Sequence, residues 1–436
     1  MELAALLAEL ARRREADDEQ LEKAVRPILD AVRRDGDAAL HVLTRRFDGV
    51  DLRERGLEVT AAEWEAALPA VPADLMAALE LAVANVRDFH ERQRPRPWLH
   101  LRPDGSLVGQ RVTAVERAGV YVPGGQAPLY SCLIMTVIPA VIAGVREVIV
   151  CSPPGPDGNL PPALLAAARL AGAHRVFKVG GAQAVAAMAY GTESVPAVDL
   201  IAGPGNPFVT KAKQLVYGRV GIDMLAGPSE LTVIDDGSVP AAWVAADLLS
   251  QAEHVHGSVV HIALTPERVD EVNRELAARV AGYRDRDIMI ENLQERSAAL
   301  VVPDLEAAAA AVNAVAPEHL ELLVADALAL LPRIRNAGSI FAGPWTPESV
   351  GDYLAGPSNV IPTGGAPRYA SPVNVETFVK RSGVVMYSRE AFAAQGPAVV
   401  RLALGEGLPA HAGAAEVRLE QAEVRLEQTS EKTVND

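Results

Sequence analysis

Apolar residues recur at three- to four-residue spacing in "LAALLAELARRR" (3–14) and "LEKAVRPILDAVRRDGDAALHVLTRRF" (21–47), which predicts helix through residues 1–95. "RQRPRPWLHLRPDG" (92–105) interrupts that pattern with prolines. From Arg111 to about Pro228 the texture changes. Short β-rich runs ("REVIVCS", "HRVFKVG", "VDLIAGPG") alternate with alanine-rich helical runs ("PALLAAARLAG", "AQAVAAMAYG"). Such alternation predicts βαβ units and a parallel sheet. It resumes after Ser229: "LTVIDD", a helix at 240–254, "SVVHIAL", a helix at 266–282, "ALVVP", a helix at 304–315 and "LELLV". Two α/β units are therefore expected. The texture changes again near Val373, and the chain ends in a direct repeat, "AEVRLEQAEVRLEQ", read as an amphipathic element or an exposed extension.

Composition narrows the function classes. A chain of 436 residues is too long for one simple core, and its 49% hydrophobic content fits a globular protein. The formal net charge of −15 argues against nucleic acid or an anionic membrane as partner. Cys132 and Cys151 are the only cysteines, both in apolar runs, so neither a disulfide framework nor a cysteine-based zinc site is expected. The apolar-then-basic start is opposite in order to a secretory leader, and no uncharged apolar run reaches the ~20 residues that span a bilayer. A cytoplasmic location follows as the expectation.

In open α/β sheets, ligands bind at the carboxyl ends of strands. Four glycine-rich loops are assigned there: 121–128, 179–184, 202–208 and 225–230, carrying Tyr121, Gln183, Asn206 and Ser229. Glycine permits close backbone approach, and a following helix N-terminus favours anions. Singly, each loop is an ordinary tight turn, and none matches the G-x-G-x-x-G fingerprint; together they point to a cofactor site. Gln251 and His254, three apart, share a helix face and could chelate a metal or simply cap the helix end. Asp352 stands in an expected loop, as a metal ligand or an Asx-turn residue. Glu406 and His411 fall in a Gly/Pro-containing turn. Glu318-His319 follows Pro317; a turn there would let the pair share proton transfer, whereas a helix start would leave the histidine incidental.

The segments "GVYVPGG", "GGAQAVAAMAYGTESVP", "GPGNPFVTKAK", "IDMLAGPSE", "DLLSQAEH", "PEHLEL", "GSIFAGPWTPESVGDY" and "LPAHAG" resemble the histidinol dehydrogenases in order and spacing, over about residues 20–415. The resemblance implies oxidation of L-histidinol to L-histidine through the aldehyde, the last step of histidine biosynthesis, with two NAD⁺ reduced. It implies one zinc ion per subunit on Gln251, His254, Asp352 and His411. It makes Glu318 and His319 the catalytic pair. Ser229 and Glu406 bind substrate, together with His319 and the metal ligands, and Tyr121, Gln183 and Asn206 bind NAD. It also implies a homodimer with shared active sites. The implied fold is α/β: two Rossmann-like domains, one inserted in the other, with small terminal arms. The expected division is an arm at 1–14, a discontinuous zinc and catalytic domain at 15–120 and 229–373, an inserted NAD domain at 121–228, and a C-terminal arm at 374–436. One departure stands out: Ser358-Asn359 replaces the family's usual Asn-His, a histidine that touches substrate. That leaves open a related zinc- and NAD-dependent dehydrogenase acting on another amino alcohol or polyol. A zinc hydrolase and a non-catalytic binder are the readings from other classes.

Overall fold

The computed structural model describes residues 2–14, 18–124 and 129–434, with side chains for 2–12, 19–124 and 129–421. The expected arm boundary between 14 and 15, the loop residues 125–128 and the side chains of the repeat beyond 421 therefore lie outside the description. The chain separates into two units, one of residues up to 94 and 114–378, the other of 95–113 and 379 onward.

The first unit is α/β, as the alternating pattern requires. It holds two five-stranded parallel sheets that occupy consecutive stretches of chain. In the first, strands lie in the order Arg175–Lys178, Glu147–Ser152, Arg117–Tyr121, Leu200–Ala202, Gly221–Ile222. In the second the order is Ala298–Val301, Ser258–Ala263, Glu230–Asp235, His319–Leu323, Ser339–Ala342. Numbered along the chain within each sheet, both read 3-2-1-4-5. Each sheet thus reverses direction between its first and fourth strands, the place where doubly wound folds open a crevice.

The division of the chain differs from the expected one. Helices Asp18–Phe47, Ala61–Ala67 and Ala73–Glu91 were assigned to the catalytic domain, but they cover the first sheet. Val25, Leu29 and Leu40 pack with Ile149, Phe177 and Val185 on one of its faces. Leu79, Val83 and Val86 pack with Val120 and Val150 on the other, where Val360, Val373 and Phe378 rejoin them. It is the first-sheet core that the chain leaves and re-enters. Helical periodicity reveals an apolar stripe but not which sheet the stripe will cover. The second sheet has its own cores, one with Leu320 and Leu322 against helix Leu305–Val315, the other with Leu231 and Leu323 against helix Ala241–Ala252. Leu6, from helix Leu3–Arg14, packs into the former, so the expected N-terminal arm is docked on the second sheet.

In the second unit, Trp98–Leu101, Leu107–Ala114 and Val379–Met386 form a three-stranded sheet, followed by helices Arg389–Gly405 and Pro409–Val434. The proline-broken stretch is thus sheet paired with the tail, and the C-terminal element begins at 379 rather than 374. Among the described residues no single helix is long and apolar enough to cross a membrane.

Candidate active site

Tyr121, Gln183 and Asn206 come together. Each follows or ends a strand at the carboxyl edge of the first sheet, and all three line one cavity of about 890 Å³ together with Phe47 and Asp48. The Tyr121 hydroxyl accepts the Gly181 N–H at 3.0 Å, and Asn206 caps helix Pro207–Val216 by accepting the Val209 N–H at 3.1 Å. Gly203 has φ +118°, and a Cβ there would lie 2.1 Å from the Tyr121 carbonyl oxygen, so only glycine fits this turn. Two helix N-termini, at Gly181 and Pro207, open toward the same edge. Burial lifts the Asp48 carboxyl to about 6, and its Oδ2 has no hydrogen-bond partner among the described residues. The volume and the mixed lining suit an elongated ligand with apolar and anionic parts.

The fourth glycine loop behaves differently. Residues 225–230 lead into strand Glu230–Asp235 at the amino edge of the second sheet, so Ser229 is not at a carboxyl end. The remaining chemistry gathers at that amino edge. Ala316 closes helix Leu305–Val315 in the left-handed conformation, with φ 54° and ψ 65°. For a non-glycine residue this costs about 1–2 kcal/mol. Pro317 turns the chain, and the strand begins at His319. The turn alternative for Glu318-His319 is therefore the one adopted, and the helix start is not.

His319 is buried, and three carboxylates surround it. Nδ1 lies 3.6 Å from Glu318 and 3.7 Å from Glu348, and Nε2 lies 3.6 Å from Asp352. Ligand atoms of His319, Glu348 and Asp352 all fall within 4.8 Å of one another. Nδ1 has a hydrogen-bonding neighbour in the Glu230 carbonyl at 3.2 Å, and Nε2 has none among the described residues. Burial opposes charge on the ring, yet Glu318, Asp352 and Glu348 outweigh it and raise His319 to about 10. Burial also pushes Glu318 up to about 8 and Glu348 to about 7, against the pull of the imidazole. Glu318 Oε2 accepts the Glu230 N–H at 2.8 Å. Gln251, fully buried, turns its amide nitrogen to Glu348 at 2.6 Å and its oxygen to the Glu230 N–H at 3.2 Å.

Asp352 does not stand in a loop, as expected, but on the short helix Glu348–Tyr353, one turn after Glu348. Glu348 was missed from sequence; Pro347 followed by acids four apart is the signal that marks a helix face there. Of the expected metal ligands, Gln251 and Asp352 reach the cluster. His254 is exposed in the turn that follows helix Ala241–Ala252, and Glu406 and His411 belong to the second unit, both exposed. Asn359 donates to the Asp352 carbonyl at 3.1 Å and to Ser131 at 3.3 Å, while its Oδ1 is buried without a partner among the described residues.

This arrangement fits a divalent cation. Three carboxyl groups crowd one imidazole in a largely buried cluster, and a bound cation would favour their ionised forms. The carboxylate oxygen of Asp352 and the amide oxygen of Gln251 are hard donors that a divalent cation accepts.

Comparison with known proteins agrees with the resemblance. A family model described as histidinol dehydrogenase matches residues 11–419. The chain belongs to the histidinol dehydrogenase family. It is 58% identical over 416 residues to the histidinol dehydrogenase of Symbiobacterium thermophilum, covering 95% of each chain. It is 48% identical to that of Syntrophotalea carbinolica, covering 96% of this chain and 97% of the other. The crystal structure of histidinol dehydrogenase from Elizabethkingia anophelis superposes with a TM-score of 0.89 at 34% identity, covering 92% of this chain and 93% of that one. A member of the histidinol dehydrogenase family, the chain is an oxidoreductase.

Proposed function

We propose that this chain is a cytoplasmic, zinc-dependent enzyme that oxidises L-histidinol to L-histidine in two NAD⁺-linked steps. The observation that carries the reading is the convergence of Glu318, Glu348 and Asp352 on His319, whose Nε2 has no partner among the described residues. Gln251 and Asp352 would hold the zinc within one chain, with His254 leaving the same turn as Gln251, and the cavity at Tyr121, Gln183 and Asn206 would hold the dinucleotide. Bound zinc would anchor the substrate's nitrogens, and NAD⁺ would accept hydride in each step.

The protein's own groups then divide the proton work. The Glu230 carbonyl can only accept, so Nδ1 of His319 keeps a hydrogen and the neutral ring carries its lone pair on Nε2. Nε2 takes the hydroxyl proton as hydride leaves the carbinol carbon. The aldehyde must add water before a second hydride can leave. Glu318, buried beside His319, would take a proton from that water as the carboxylate. Ser229, in the loop before Glu230, would contribute to substrate binding.

With histidinol and NAD⁺, absorbance should report two NADH per histidine formed. No NADH with histidinol would sink the reading. Asn359, with its unpartnered Oδ1 in place of the family's imidazole, supports one second reading, a dehydrogenase for another amino alcohol or polyol; NADH formation with such alcohols in preference to histidinol would establish that instead.

The reading includes a homodimer in which Glu406 and His411 of one chain complete the partner's site. Mixing His411→Ala chains with His319→Asn chains under exchange should recover activity, because one site of the mixed dimer collects both defects and the other neither. Absence of recovery despite demonstrated exchange would mean that each site is built within one chain.

A further inference from the structure

Glu321 follows His319 by two on strand His319–Leu323, so the two side chains leave the same face, toward helix Ala241–Ala252. Glu321 is completely buried. Its Oε1 accepts the N–H of Glu348 at 2.6 Å. Glu348 opens helix Glu348–Tyr353, whose N-cap residue, Pro347, offers no side-chain cap. Glu321 therefore supplies from another element the acceptor this helix start lacks. Its Oε2 is buried and meets no hydrogen-bond partner among the described residues. The Asp247 carboxyl is its near neighbour, and burial raises both above the ordinary carboxylate range.

Three elements meet at this pair. The strand carries His319 one pleat away. Helix Ala241–Ala252 carries Gln251 one turn beyond Asp247. Helix Glu348–Tyr353 carries Asp352 one turn beyond its Glu321-bound N–H. We propose that Glu321 is a positioning residue that keeps His319, Gln251 and Asp352 in mutual register, and that metal retention depends on it. The proposal rests on the reading of Gln251 and Asp352 as metal ligands. A buried acid with no such role would be exchangeable for an apolar side chain at little cost, since apolar replacements of buried ionic groups are often neutral or stabilising.

The test uses the full chain with Glu321→Gln and Glu321→Met, zinc affinity being read by competition with a chromophoric chelator and stability by thermal unfolding. Glutamine keeps an acceptor for the Glu348 N–H, so its zinc affinity should stay within about threefold. Methionine should lose about 10- to 100-fold, the range for residues that orient metal ligands. If Glu321→Met does not fold, the double variant Asp247→Leu/Glu321→Met, which strands no carboxyl, is read by the same criterion. Asp352→Ala serves as the control. Zinc held undiminished by Asp352→Ala would remove the metal reading itself. Zinc lost by Asp352→Ala but kept by Glu321→Met would overturn the positioning role, as would equal losses in Glu321→Met and Glu321→Gln.

Discussion

His319→Asn should slow both oxidations by about 10²- to 10⁴-fold, the contribution of a positioned general base. Asparagine can still donate to the Glu230 carbonyl, but it offers no titrating nitrogen where Nε2 stands. Glu318→Gln should act more selectively. Only the aldehyde half needs activated water, so oxidation of histidinal should fall by a similar factor while oxidation of histidinol changes little. The two halves are separable by supplying histidinol and histidinal independently and following NADH. A Glu318→Gln enzyme that oxidises histidinal normally but not histidinol would reverse the two roles.

Removing metal should abolish activity, and adding zinc back should restore it, with cobalt or manganese as possible substitutes. The loss has two causes. The substrate's anchor goes, and Glu318, Glu348 and Asp352, no longer neutralised, hold the proton on His319 up to about pH 10, where the ring cannot act as a base near neutrality. Treatment with a chelator, elemental analysis of the product and re-addition of zinc would measure this. A preparation shown to be metal-free yet fully active would dispose of the site.

What was legible in the sequence follows from what is local. Tyr121, Gln183 and Asn206 sit beside glycine turns at strand ends, and turn chemistry announces itself over a few residues. At Pro317 local pattern allows both a turn and a helix start, and only the structure chooses the turn. What escaped depends on distant pairing. Glu348 converges with His319 because strand Ser339–Ala342 pairs with His319–Leu323, and no local pattern encodes that pairing. Glu321 was hidden inside "LELLV", where its strand position looked merely buried; an acid on the inward face of an apolar strand was the available sign. The assignment of helices 18–91 failed because an amphipathic stripe carries no address. The family resemblance supplied names for scattered positions, Glu318 and Asp352 among them, but not Glu348, the third carboxyl beside His319.

The two sheets share one strand order yet present opposite electrical ends. At the first sheet's carboxyl edge, helices Gly181–Tyr190 and Pro207–Val216 begin, exposing N–H groups that carry partial positive charge. At the second sheet's amino edge, helices Ala241–Ala252 and Leu305–Val315 end beside Gln251 and Pro317, presenting carbonyls that carry partial negative charge. Each helix end shifts a nearby unit charge by about 0.3–1 kcal/mol. One wiring diagram, used from opposite edges, thus makes a pole that favours anions and a pole that favours cations. Interchanging their ligands would set like charge against like at both.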